Sequence, residues 1–255
     1  MHHRGFTALL LLVWSASSQA IVNTENLRIG PTEDGFSGNL GLQASGKNGN
    51  TEKQDYGLDS RLQWQAGRNT DFLVLSYEYG ESNEQRSSNA AFLHARHVTQ
   101  FQPRRAWEAY VQLEQDEFTR LSYRGLFGLG LRFTLAERRD NLGLYFGAGI
   151  YTTRERLEKR TGLTDHGSES YERASLYLSY KHQINPQVAL LSTTYYQPRL
   201  DDSDDYRALE QASLQVKMSK QLAVKLSINI SHDSRPPQTI KETDVGYFSG
   251  LQYSF

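Results

Sequence analysis

Leu222-Ala223-Val224-Lys225-Leu226-Ser227-Ile228-Asn229-Ile230-Ser231 alternates without a break. Successive side chains on an extended chain point to opposite sides. Leu222, Val224, Leu226, Ile228 and Ile230 therefore share one face, and Ala223, Lys225, Ser227, Asn229 and Ser231 share the other. The pattern recurs along the sequence, and no stretch beyond the first twenty residues spaces apolar residues three and four apart as a helix would. The alternation predicts twelve strands, over 35–45, 55–66, 70–80, 90–101, 106–115, 121–135, 141–152, 172–181, 187–197, 207–218, 222–232 and 242–255. Most are close to the roughly 9–11 residues a tilted strand needs to cross a bilayer.

The lengths of the connections separate this pattern from a soluble sandwich. With both termini periplasmic, as an even strand count requires, the periplasmic turns at 67–69, 102–105, 136–140, 182–186 and 219–221 are short. The outer connections at 46–54, 81–89, 153–171, 198–206 and 233–241 are longer, and only 116–120 is as brief as a turn. Transmembrane barrels sort their connections in this way. The fold class expected is all-β: a transmembrane antiparallel β-barrel of about twelve strands.

The lipid side agrees. Leu142, Leu144, Phe146, Ala148 and Ile150 form one apolar row, and Tyr123, Phe127, Leu129, Leu131 and Phe133 another. Tyr56, Trp64, Tyr77, Tyr79, Trp107, Tyr180, Tyr196 and Tyr253 suit the aromatic girdles at the two interfaces. Strand 90–101 is ambiguous by hydrophobicity, and Arg96 decides it: an arginine at the bilayer midplane costs about 2–4 kcal/mol. Phe92, His94 and Arg96 are therefore read as inward-facing.

The mean hydropathy of -0.63 is too low for a helical membrane protein. The formal net charge of -1 selects no nucleic acid partner. At the N-terminus, His2, His3 and Arg4 precede the apolar Phe6 to Trp14, and Ser18-Gln19-Ala20 places small residues at a cleavage site. These are the parts of an export signal. The domain reading is a signal peptide at 1–20, a short periplasmic segment at 21–34 and the barrel at 35–255. With no cysteine, disulfides cannot stabilise an exported chain, whereas a closed barrel leaves no free strand edge. The location expected is the cell outer membrane, among its lipid and lipopolysaccharide. Gly250-Leu251-Gln252-Tyr253-Ser254-Phe255 looks like the insertion signal of outer-membrane barrels, with Gly250, Tyr253 and Phe255 its main residues. The barrel assembly machinery is thus a partner during biogenesis.

Several motifs resemble the YdiY-like family of salt-induced outer-membrane proteins, a domain family of unknown function. They are Ile21-Val22-Asn23-Thr24-Glu25, Gly35-Phe36-Ser37-Gly38, Ser45-Gly46-Lys47-Asn48-Gly49-Asn50-Thr51 and Asp116-Glu117-Phe118-Thr119-Arg120-Leu121 with Arg124 and Gly130. Ser192-Thr193-Thr194-Tyr195-Tyr196 and His232-Asp233-Ser234-Arg235-Pro236-Pro237 complete the set. The resemblance implies a barrel in the outer membrane and a link to salt or osmotic stress. It implies no catalytic residues.

The facing pattern sends Asp59, Glu78, Glu108, Glu114 and Asp244 into the lumen together with Arg61, Arg96, Arg124, Arg132, Lys217 and Lys225. So balanced a set suits a salt-bridged interior, since buried charges need partners, and a narrow or plugged channel, since twelve strands fall between filled and open barrels. Arg124 and Arg132, eight residues apart on one face, are expected to find separate partners among Glu108, Glu114, Tyr145 and Tyr151. Tyr110, Tyr145, Tyr151, Tyr177 and Tyr195 also face inward and fill space.

Catalytic chemistry has little support. His232-Asp233-Ser234 has the residue types of a hydrolase, but chain neighbours rarely converge on one substrate atom. His166 beside Asp165 is no better. His94 and His97 lie on opposite faces and cannot share a metal. No catalytic residue, cofactor or metal is assigned, and an outer-membrane hydrolase is a remote reading. The acidic loop Asp201-Asp202-Ser203-Asp204-Asp205 lacks the glycine and glutamate of a helix–loop–helix calcium site. It reads as a solvated loop, or as a divalent bridge to lipopolysaccharide. Two functions remain: a narrow pore for an unnamed solute, or a structural barrel acting through its outer loops. The export signal sets a first prediction: intact-mass or N-terminal sequencing of the mature protein should begin at Ile21, and a start at Met1 would remove the signal-peptide reading.

Overall fold

The computed structural model describes residues 34–47, 53–138, 141–165 and 167–255. The residues expected to form the signal peptide, and all of the periplasmic segment but Asp34, lie outside them. The described residues form twelve strands: β1 (Gly35–Lys47), β2 (Lys53–Ala66), β3 (Asn69–Ser82), β4 (Gln85–Gln102), β5 (Arg105–Asp116), β6 (Leu121–Arg138), β7 (Leu142–Leu157), β8 (Ser168–Gln183), β9 (Val188–Pro198), β10 (Tyr206–Lys217), β11 (Leu222–Asp233) and β12 (Thr243–Ser254). Each pairs antiparallel with its sequence neighbours, and β1 pairs with β12 to close a barrel. The decisive stretch lies in β11, where Lys225 pairs with Gln215 of β10 and Gly250 of β12.

Strand lengths correct two expected loops. Between β3 and β4 the loop expected at 81–89 is a two-residue turn. Asn83 and Glu84 both have positive φ, 49° and 62°, the pairing that matches the twist of a tight hairpin. The long loop expected at 153–171 is reduced to 158–167, because β7 and β8 stay paired up to Arg156↔Ser168. The alternation persists above the bilayer: Tyr151, Thr153 and Glu155 are buried while Thr152, Arg154 and Arg156 are exposed.

The outward row is an apolar belt. Phe127, Leu129 and Leu131 of β6 are each close to half exposed, and Ile150, Leu178, Leu226 and Leu251 continue the band on other strands. Tyr56, Trp64, Tyr77, Trp107, Tyr196 and Tyr253 stand on the same outer side. The inward row is polar and much of it is buried, including Arg61, His94, Glu108, Arg124 and Thr193. As the arginine argument required, Phe92, His94 and Arg96 of β4 all point in and are buried. Glycine makes room on two facing strands. A side chain at Gly128 would run into the ring of Tyr110, and one at Gly147 into the ring of Tyr177.

Phe255 completes the closure. Its amide donates to the Gly38 carbonyl at 3.0 Å, and its carbonyl accepts from the Gly38 amide at 2.9 Å. Its ring lies 6.2 Å from that of Phe36, which in turn neighbours Trp64. Phe255→Ala removes the ring but leaves these backbone bonds. The expected outcome is a lower folded yield on refolding into detergent, read as loss of the heat-modifiable band. An unchanged yield would show that the ring adds nothing to closure.

Candidate functional site

A continuous chain of polar contacts fills one side of the lumen. It begins on β6, where Arg132 lies 4.1 Å over the Tyr145 ring and donates to the Tyr177 hydroxyl at 3.3 Å. Tyr177 on β8 reaches across the lumen to donate to Glu108 of β5 at 3.0 Å. Glu108 pairs with Arg96 of β4 at 3.3 Å, and Arg96 Nε donates to His94 Nε2 at 3.2 Å. That leaves the His94 Nδ1 proton to face Gln112 Oε1 at 3.1 Å, a neutral tautomer set by its two neighbours. Gln112 donates to Glu114 at 3.0 Å, Glu114 pairs with Arg124, and Arg124 holds Glu155 of β7 at 2.5 Å. Arg207 of β10 then crosses the lumen to Glu155 at 2.6 Å and ends on Asp233 of β11 at 2.8 Å. The links from β8 to β5 and from β10 to β7 join strands that are not neighbours, so the lumen on this side is solid.

Above the chain lies a cavity of about 210 Å³, lined among others by Arg124, Tyr171, Arg173, Arg207, Asp233 and Asp244. Its mouth, at the end of the barrel opposite the two termini, is clasped by three loops. Arg120, nearly inaccessible and held at φ 61°, donates to Asp165 at 2.5 Å, to the Gln238 carbonyl at 2.8 Å and to the Glu158 carbonyl at 3.0 Å. Positive φ costs a non-glycine residue about 1–3 kcal/mol, and these three bonds hold it there. The Gln238 amide, and then Arg120, keep the Asp165 carboxyl below the usual carboxylate range. A depressed folded-state pKa stabilises the clasp at neutral pH, and that stabilisation is lost only as the pH falls below about 4.

The opposite wall is different. Asp59 points inward from β2 yet is exposed, and Ser76, Glu78, Gln211, Lys225, Ser227, Asp244 and Gln252 are only half-buried. Solvent therefore reaches the lumen around these residues, while Arg61, Gln63, Leu209, Ser213 and Asn229 on the same strands are buried.

The expected lumen network is thus divided. Arg96, Glu108, Glu114, Arg124 and Arg132 belong to the contact chain. Arg61 is buried, donates to Gln63 at 2.7 Å and lies 4.6 Å over the Phe72 ring. Asp59, Glu78, Lys225 and Asp244 line the wet wall, and Lys217 stands exposed at the periplasmic end of β10. Arg124 takes Glu114 as expected, but its second partner, Glu155, had been assigned to a loop. Arg132 reaches its acid only through Tyr177. The missed residues are Glu155, Arg173, Asp205, Arg207, Asp233 and Arg120. Continued alternation past Tyr151 was the signal for Glu155; the loop contacts of Arg120 left none.

His232, Asp233 and Ser234 diverge. His232 contacts Thr243 at 2.9 Å, Asp233 holds Arg207, and Ser234 donates to the Asp204 carbonyl at 2.9 Å. His166 lies outside the described residues. His94 is buried in the lumen, whereas His97 on the outer side bonds Asp71 at 2.6 Å. In the acidic loop, Asp201, Asp202 and Asp205 hold Arg199, Arg235 and Arg173 at 2.5–2.6 Å.

A family model described as a protein of unknown function, DUF481, matches residues 39–255. The chain belongs to the DUF481 family. No curated protein matches it by sequence. Among solved structures, the NanC porin superposes with a TM-score of 0.50 at 10% identity, over 85% of this chain and 98% of that one. The KdgM porin gives 0.46 at 15% identity, over 86% and 99%. The β domain of the Bordetella autotransporter BrkA gives 0.43 at 12% identity, over 86% and 97%. Identities this low establish a shared fold, here the porin-like closed barrel.

Arg124→Ala should destabilise the barrel by about 3–5 kcal/mol in urea unfolding, because it removes the arginine of buried Glu114 and leaves Glu155 with Arg207 alone. Arg207→Ala should also destabilise, and the double variant by more than the sum, since only the second removal leaves buried Glu155 with neither arginine. Strictly additive losses would show that the contacts act independently.

Proposed function

We propose that this protein is an outer-membrane pore with an off-centre aqueous path along the inner face of β10–β12 and β1–β3. The observation that carries the reading is Asp59, a carboxylate on the inward row that is nonetheless exposed. A fully packed interior would bury it or pair it. The apolar belt and aromatic girdles support residence in the outer membrane, surrounded by lipid and lipopolysaccharide, with assembly through the insertion sequence that ends at Phe255.

Charge along the path is uneven. Asp59, Glu78 and Asp244 line it together with one lysine, Lys225, while the arginines of the solid wall are occupied by Glu114, Glu155, Glu108 and Asp233. An acid-rich narrow path favours cations. Such a path is compatible with the salt- or osmotic-stress role that the family resemblance implies, and the solute is a small cation or a neutral molecule.

Single-channel recording in a planar bilayer tests this. The expected result is a small, cation-preferring conductance. Asp59→Asn should move the reversal potential towards anions, and Lys225→Gln should move it towards cations. A silent barrel would favour the other reading, a structural protein acting through its outer loops, for which the filled wall already speaks.

A further inference from the structure

One stretch of the outward wall is concave. Across β2–β6 one outward row runs through Leu62, Leu73, Ala95, Val111 and Phe127. In the next outward row towards the termini, His97 pairs with Ala109. Ala95 and Ala109 are therefore diagonal neighbours, and both are short. A groove of about 490 Å³ opens over them, walled by Leu62, Trp64 and Leu73 on one side and by Val111 and Phe127 on the other. At its foot Asp71 is held by His97 at 2.6 Å, and the Trp107 ring lies 5.1 Å from that of His97. Trp64 and Trp107 set this level at the membrane–water interface, where indole rings are at home.

The rim just beyond the foot is cationic. Arg68 stands in the β2–β3 turn, and Arg104 and Arg105 at the β4–β5 turn, all three exposed. Arg105 shares the outward row of Trp107 and Ala109, four residues or about 13 Å along the strand from Ala109. None of the three arginines makes an ion pair among the described residues. Asp34, the acid nearest Arg68 in the turn, accepts from the Gly67 amide at 2.8 Å. The opposite end of the barrel differs: Arg120, Arg173, Arg199 and Arg235 there each hold a carboxylate.

An apolar trough inside the belt, ending at unpaired arginines on the interface, matches a molecule with an apolar chain and an anionic head. We propose that the groove seats an anionic phospholipid of the leaflet at the end that carries the termini. One acyl chain lies along Ala95 and Ala109, and the phosphate meets Arg104 and Arg105, with Arg68 beside them. The guanidinium fork suits phosphate oxygens. A second copy of the chain fits less well, because it would bring its own unpaired arginines to the same rim, where like charges repel. The proposal rests on the barrel's residence in a bilayer and not on whether it conducts.

The chain supplies its own probe. Apart from Trp14 in the expected signal peptide, its tryptophans are Trp64, in the groove wall, and Trp107, at the foot. The mature protein is reconstituted in phosphatidylcholine vesicles that contain a minor fraction of lipid brominated on its acyl chains, either phosphatidylglycerol or phosphatidylcholine. The anionic lipid should quench the tryptophans about threefold more strongly, and the difference should shrink at high salt. Arg68→Gln, Arg104→Gln and Arg105→Gln together should bring the two lipids level, with quenching in wholly brominated phosphatidylcholine unchanged. Ala95→Leu with Ala109→Leu fills the trough and should also remove the preference, although the arginines remain. Equal quenching by the two lipids in the unaltered protein overturns the proposal, as does a preference that survives either set of changes. Tryptophans left unquenched even in wholly brominated phosphatidylcholine overturn it too. If that protein floats with the vesicles, a second copy covers the groove; if it does not float, residence in the membrane itself fails.

Discussion

Every peptide group in an apolar surrounding must find its hydrogen-bond partner within the protein, and the rest of this structure depends on that constraint. An antiparallel ladder meets it between neighbouring strands, and ring closure meets it for the first and last. Closure then dictates the rest of the pattern. One side-chain row faces lipid and must be apolar, while the other faces inward and is free to be polar. Phe255 matters because it extends the short β1–β12 ladder by one residue, joining Gly38 through both backbone groups.

Twelve strands enclose more space than one layer of side chains can fill evenly, and this chain divides that space into two parts. Along β4–β9, joined by Arg207 and Asp233 at the loop-bearing ends of β10 and β11, the interior is packed with long side chains that reach non-neighbouring strands, Tyr177 to Glu108 and Arg207 to Glu155. Glycines at 128 and 147 let tyrosine rings lie against the wall. Burying so many charges is tolerable because each carboxylate of the chain has an arginine within reach, so desolvation is offset by charge-assisted bonds. Along β10–β12 and β1–β3 several inward residues, Asp59 foremost, stay open to solvent. The packed side braces the barrel, and the open side is where the proposed aqueous path runs.

At the end of the barrel opposite the two termini, Arg120 ties together loops that lie far apart in the chain, through Asp165, Glu158 and Gln238. The arginines of β8 and β10 draw the acidic residues 201–205 and Asp233 inward. Acids that look like a solvated or cation-binding loop when read in sequence therefore serve as anchors for arginines. The mouth is ordered by side-chain pairing rather than by regular secondary structure.

The sequence by itself determined the strands, their order and their facing. A two-residue period and a membrane-length repeat are local properties, and Arg96 alone oriented the ambiguous strand. It also narrowed the partners of Arg124 and Arg132 to Glu108, Glu114, Tyr145 and Tyr151, because adjacent strands bring inward residues together. It could not determine that Glu155 and Arg207 would join them, nor that Arg132 would reach Glu108 through Tyr177. Those contacts cross the lumen between strands that are not neighbours, and their geometry exists only once the barrel has closed with its particular stagger. The same holds for the uneven packing of the lumen. Side-chain volume and backbone register around the ring decide them, and neither is encoded in any one strand.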